Sequence, residues 1–290
     1  MNFSERHPAT QFIFFSASIC SVILNRNPFF LCISLVIALV YRIFQLRSIR
    51  ILKEIFFYIL LTGFLTMLIP LVSHNGKTAL FFINDNAVTK EAIFLGFSIG
   101  LEFSAVICWF SCMSHVMSGE KIIYLISGIA PRLAVFISGI MKFVPLCRKQ
   151  YLNIYRTQKN IYSGYKRLRK KIYIIIRSFS ALITWIIESS ADSADSMYAR
   201  GYGLSGRSSF SIYRFRRFDV IILAAIVYLL PFTVASVIYR TAGIVFYPET
   251  VIPLSAANIL ISILWTIIML IPVVTEICEE YKWKLLRSKI

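Results

Sequence analysis

The chain has 290 residues, 58% of them hydrophobic and 16% charged, with 31 Lys and Arg against 14 Asp and Glu. Soluble domains carry about 25% charged and about 45–50% apolar residues, so this composition indicates an integral membrane protein. The surplus of +17 would fit nucleic acid in a soluble chain, but here the basic residues cluster between apolar runs. Cytoplasmic loops do the same, and the pattern argues against a nucleic-acid partner.

Apolar runs of spanning or near-spanning length occupy 12–24, 29–46, 55–73, 93–114, 218–239 and 253–275. A polar head, Met1–Gln11, precedes the first run, and no small-residue cleavage site follows it, which predicts a retained helix rather than a signal peptide. The first run is short for a span of about 20 residues, and Asn25-Arg26-Asn27-Pro28 is a turn signal that folds it back on the second as a tight hairpin, crossing fully or only in part. The segment 42–53 is basic through Arg42, Arg47, Arg50 and Lys53, and the tail through Lys282, Lys284, Arg287 and Lys289. Region 116–217 holds 18 of the 31 basic residues. Six spans with both termini inside place every basic-rich segment in the cytoplasm. Residues 122–147 are apolar, but Pro131, Arg132, Lys142 and Pro145 interrupt them, so they are expected as helices at the interface or partly in the cytoplasm.

The middle third sets the chain apart. Residues 148–171 are strongly basic, and a helix over 148–164 is expected there. Residues 172–199 read as one long helix, with Ile172, Ile175, Ile176, Phe179, Leu182, Ile183, Ile186 and Met197 forming an apolar stripe. Ser178, Ser180, Ser189, Ala191, Ser193 and Ala194 make much of the rest small, which lets another helix approach closely. The two helices therefore read as arms of a crossed pair. Gly201 falls where the second should stop, because glycine accepts the left-handed turn there. Arg200 then sits on the last turn. It either complements the helix dipole in water or forms a charged knob for a partner's groove. Asp192 and Asp195 lie on preceding turns, where they could hold Arg200, bind basic residues of the companion helix, or face solvent.

These residues resemble the transmembrane T component of energy-coupling factor transporters, the scaffold subunit of cassette-type vitamin and cobalt/nickel importers. His7-Pro8-Ala9-Thr10 is similar to a shortened form of the family's N-terminal motif, and Lys142-Phe143-Val144-Pro145-Leu146 to its Arg-Phe-Ile-Pro-Leu motif. Asp195-Ser196-Met197-Tyr198-Ala199-Arg200-Gly201-Tyr202-Gly203 resembles its Ala-Met-x-Ala-Arg-Gly-Tyr signature, the most specific of the three. The resemblance implies an all-α integral membrane protein of about six membrane helices plus a cytoplasmic coupling domain of long crossed helices. The division is then 1–115 as a membrane domain, 116–217 as the coupling domain, and 218–290 as a C-terminal membrane hairpin and tail.

It further implies two cassette ATPase subunits and a separate substrate-binding membrane S component as partners, in a bacterial plasma membrane. Ala199, Arg200 and Gly201 would form the tip of the second coupling helix, supported by Asp192, Asp195 and Met197. The first tip departs from the family: Gln158-Lys159-Asn160-Ile161-Tyr162 puts Ile161 where arginine is usual, so Ile161 and Tyr162 would dock by shape and apolar contact. Long basic side chains on 148–171 also fit anionic lipid headgroups.

No catalytic, cofactor or metal constellation is legible. His7, His74 and His115 are scattered, and Cys20, Cys32, Cys108, Cys112, Cys147 and Cys278 read mostly as small buried hydrophobes. Asn75-Gly76-Lys77-Thr78 imitates the end of a phosphate loop, but the motif needs glycine at the position of Leu71. Energy must then come from partners, and the chain is expected to be no enzyme. Glu102 is the one carboxylate deep in a span, where it either bonds another helix, through Ser98 or Ser104, or belongs to an ion relay. An ATP-independent carrier or channel is the alternative reading.

Overall fold

The computed structural model of the chain describes residues 3–25, 27–46, 49–73, 76–83, 86–161, 168–204, 213–238 and 256–287. It is an all-α integral membrane protein with one small hairpin. A 3-10 turn, Phe3–Glu5, precedes α1 (Pro8–Leu24), α2 (Pro28–Leu46) and α3 (Arg50–Val72). A hairpin of β1 (Ala79–Ile83) and β2 (Asn86–Thr89) leads into α4 (Lys90–Val116). Then come α5 (Gly119–Ile129), α6 (Pro131–Ile161), α7 (Leu168–Ala199), α8 (Arg217–Ile238) and α9 (Ala256–Arg287). The chain divides into two compact units, Met1–Lys121 with Tyr213–Ile290, and Ile122–Ile212. The first and last apolar segments thus share one body, in which α1 packs on α8 and α2 on α9.

That body is held by aromatic packing and by close helix approach. Trp109 of α4 is fully buried, and its indole N–H donates to Ser34 Oγ of α2 at 2.9 Å. Phe14 and Phe15 of α1 pack edge-on to each other and lie about 6 Å from the Trp109 ring. The α3–α4 contact depends on Gly96 and Gly100, four residues apart on one face of α4. A Cβ on Gly100 would lie 2.9 Å from the Thr62 carbonyl oxygen, and one on Gly96 would lie 3.1 Å from the Thr66 backbone. Only glycine lets the two backbones come this near, as in small-residue helix pairs within membranes. One turn on, the Ser104 and Thr62 hydroxyls bond across the same seam at 2.8 Å. Arg42 of α2 grips Glu54 of α3 through two hydrogen bonds of 2.9 and 3.0 Å.

The N-terminal turn is clamped onto this body. Gln11 donates its side-chain amide to the Phe3 and Arg6 carbonyls. The Lys121 ammonium donates to Gln11 Oε1 and to the Ser4 and Val116 carbonyls. Burial lowers the Lys121 pKa, and these oxygens hold the charge that burial penalises. His7 caps α1, its Nδ1 accepting from the Ala9 N–H at 3.2 Å, and its ring stacks on Phe215 at 3.6 Å. Burial pushes the His7 pKa down, opposed in part by the Asp219 carboxylate. A neutral ring fits its duty as acceptor.

Two expectations need correction. The loop at 74–92 contains the hairpin, which pairs Phe82 with Ala87 and Ile83 with Asn86. Second, Pro145 does not end a helix: α6 runs unbroken from Pro131 to Ile161, although the proline removes one internal hydrogen bond. The helix expected at 148–164 is thus the second half of a 31-residue rod. The six helices long and apolar enough to cross a membrane, by length and composition, are α2, α3, α4, α7, α8 and α9. α1, the short first run of the expected set, has 17 residues and is about 26 Å long.

Candidate functional site

The second unit is built on α6 and α7, which pack against each other. They are antiparallel, because the six residues between Ile161 and Leu168 are too few to carry the chain back along a 31-residue rod; a groove of about 540 Å³ is lined by Arg132, Phe136 and Cys147 from the first half of α6 and by Ile186, Met197 and Tyr202 from the second half of α7 and its tip. Each helix carries its C-terminal tip to an opposite end of the pair. At 1.5 Å per residue, rods of 31 and 32 residues separate the tips by roughly 45 Å.

The α7 tip is shaped by its own backbone. The Tyr202 N–H donates to the Met197 carbonyl at 3.0 Å, and the Gly201 N–H to the Tyr198 carbonyl at 2.9 Å. These are the two bonds of a Schellman stop, with Ala199 as last helical residue, Arg200 as cap and Gly201 in the left-handed conformation at φ +74°. Another side chain at Gly201 would be strained and would meet Leu204 Cδ1 at 3.0 Å. Gly203, at φ +94°, turns the chain again. Met197 is half-buried and lines the groove with Tyr202, so the apolar contact that accompanies this stop ties the tip to α6. Ala199 and Arg200 are left exposed on a rigid corner.

Asp192 and Asp195 are exposed, and neither is ion-paired with Arg200 among the described residues. The helix explains this. Five residues rotate Asp195 about 140° from Arg200, and eight residues put Asp192 about 12 Å back along the axis. Together with Glu188, also exposed, they form an acidic line on the last turns of α7.

The other tip is different. α6 ends at Ile161, which is exposed, while Tyr162 lies outside the described residues. Arg148, Lys149, Arg156 and Lys159 are all exposed on its second half. One tip is therefore approached along a basic rod and the other along an acidic one, a contrast that follows from the residues but was not drawn from them.

The remaining candidates belong to the first unit. Thr78 of the phosphate-loop imitation donates its hydroxyl to the Glu91 carboxylate at 2.9 Å, in the first turn of α4. Gly76, at φ +140°, abuts Glu91 and Thr89 so closely that a Cβ would come within 2.7 Å of both. This stretch is a turn docked on a helix start. Glu102 is half-buried on α4, where the Ser98 hydroxyl bonds the Phe94 carbonyl and the Ser104 hydroxyl serves the α3 seam. Cys108 and Cys112 are buried, with the Cys112 thiol 3.7 Å from the Ala38 carbonyl. Among the described residues, no three His, Cys, Asp or Glu side chains converge as a metal site would require. No protein-family model matches the chain, and no curated protein matches it.

Proposed function

We propose that the chain is the energy-coupling transmembrane scaffold of an energy-coupling-factor-type importer in a bacterial plasma membrane, with both termini cytoplasmic. α6 and α7 are its coupling helices. The tips at Ile161 and Arg200 dock on two cassette ATPase subunits. Motion of these subunits passes along the rods to a separate substrate-binding membrane subunit for a vitamin or metal ion. The chain hydrolyses nothing itself.

One observation carries this reading. A 32-residue helix ends in a rigid stop that leaves Arg200 exposed between Ala199 and Gly201. A charged side chain held on a fixed corner has its conformational cost of docking partly met in advance. Arginine at the centre of an interface is among the residues whose truncation costs most. The roughly 45 Å between tips is a spacing for two receiving sites rather than one.

The test is affinity purification of the tagged chain from its native membrane in mild detergent, with mass spectrometry of what accompanies it. Two cassette ATPase subunits and a small hydrophobic membrane protein are expected. If the chain instead purifies alone and transports solute in liposomes without ATP, the reading is wrong and the carrier alternative is right.

A further inference from the structure

We propose that the α6–α7 pair lies flat along the anionic surface of a lipid bilayer, with one apolar face in the headgroup boundary and a basic rim against the phosphates. This goes beyond the coupling function and does not need it: no partner protein takes part.

Charge is the first observation. Between Glu120 and Glu188 the chain has no Asp or Glu and 13 Lys and Arg. The second is the placement of apolar residues. On α7, Ser178 and Leu182 are buried, and Ile186 lines the groove with α6. Ile172, Ile176, Phe179, Ile183 and Ile187 are all exposed, and at 3.6 residues per turn they form one stripe about 100° around the helix from that inner face. On α6, Phe136, Gly139 and Phe143 line the groove, and the exposed Leu133 and Val144 are turned from that inner face in the same rotational sense. Because the helices are antiparallel, this rotation carries Leu133 and Val144 to the same side of the pair as the α7 stripe. The acidic line of Glu188, Asp192 and Asp195 is rotated the other way and faces the opposite side. Arg148, Lys149, Arg156 and Lys159 sit on the outer edge of α6, away from α7.

An apolar face, a basic edge and acid kept to the far side are the pattern of a helix that lies in the interface plane. Juxtamembrane basic residues are each attracted by an anionic leaflet. The same pattern explains why α7 is apolar enough to span a bilayer while Arg177, Glu188, Asp192 and Asp195 stand exposed on its other sides. A helix spanning lipid is hydrophobic all round. This one is hydrophobic toward α6 and toward one outer side only.

The experiment uses the full chain in nanodiscs, with a benzophenone photo-crosslinking residue in place of Phe179, and separately in place of Asp195. The discs are phosphatidylcholine alone, or with about one third phosphatidylglycerol to supply the anionic surface. Lipid adducts are counted by mass spectrometry. Labelling from position 179 should be at least about fivefold higher in the anionic discs, and position 195 should give none above background. Neutralising the rim as Arg148→Gln, Lys149→Gln, Arg156→Gln and Lys159→Gln should bring position 179 down to its neutral-disc level. Raising KCl should do the same to the chain with the rim intact, which gives a readout even if the fourfold variant misfolds. Equal labelling in both discs, the mark of a spanning helix, would overturn the proposal. So would an absence of lipid labelling, the mark of a face kept for protein, and so would labelling from position 179 that resists both salt and neutralisation.

Discussion

The two units are both helical, yet they spend their apolar residues differently. The Met1–Lys121 and Tyr213–Ile290 unit turns Phe3, Phe14, Phe15, Trp109 and Trp265 inward until none is exposed. Among the described residues of Ile122–Ile212, only Ala134, Ser178 and Leu182 are buried. Helices in lipid gain little from hiding hydrophobic groups from one another, so the first unit is held by shape, small residues and polar clasps. The second has two long rods, one contact seam and wide apolar faces.

Breaking each unit at its own seam should therefore give opposite results. Trp109→Ala removes one of two fully buried tryptophans and strands the Ser34 hydroxyl. It should cost about 3–5 kcal/mol of stability, seen as a lower Tm in detergent, and leave the α6–α7 tips able to bind. Arg200→Ala should do the reverse. Tm should not move, because the side chain is exposed, while ATPase capture weakens by about 2 kcal/mol or more. If the variant still captures both ATPases normally and supports full uptake, the knob idea is dead.

A smaller effect tests the corner itself. Gly201→Val places a β-branched residue at φ +74°, at a local cost of about 1–2 kcal/mol. Hydrogen exchange should rise over 197–204 and docking should weaken, with the first unit unchanged. The smallest effect belongs to the N-terminal clamp. His7 has a folded pKa below its ordinary value, through burial opposed in part by Asp219. The unfolded chain therefore binds the extra proton more readily. The stability His7 contributes is full above about pH 6.5 and is lost as pH falls through the lower folded value. Melting between pH 7.5 and 5 should show a falling Tm, flattened in His7→Asn, which keeps a cap but cannot titrate.

Much of this was legible beforehand. The apolar runs at 29–46, 55–73 and 93–114 match α2, α3 and α4 closely. Long unbroken hydrophobicity needs no tertiary help to become helix in lipid, since every backbone group must be satisfied within the segment. The stop at Gly201 was legible too, because a left-handed residue is a local demand that glycine meets. The Gly96 and Gly100 seam was missed, though its four-residue spacing was a visible signal. The hairpin was missed because Leu80, Phe81 and Phe82 read as loop between spans. Pro145 misled because a break was expected from sequence alone, and a long helix packed along a neighbour tolerates it.

What the sequence determined by itself is what depends on neighbours along the chain: membrane character, helix positions, and the turn that leaves Arg200 on a corner. What only the tertiary structure decided is what depends on neighbours across space. It joined the first and last spans into one body and ran α6 against α7 in reverse. It left Asp192 and Asp195 apart from Arg200, and it left the α7 stripe from Ile172 to Ile187 exposed beside the α6 seam. Hydrophobic period fixes which residues share a face of one helix, but the side toward which that face turns is set by the helix packed against it.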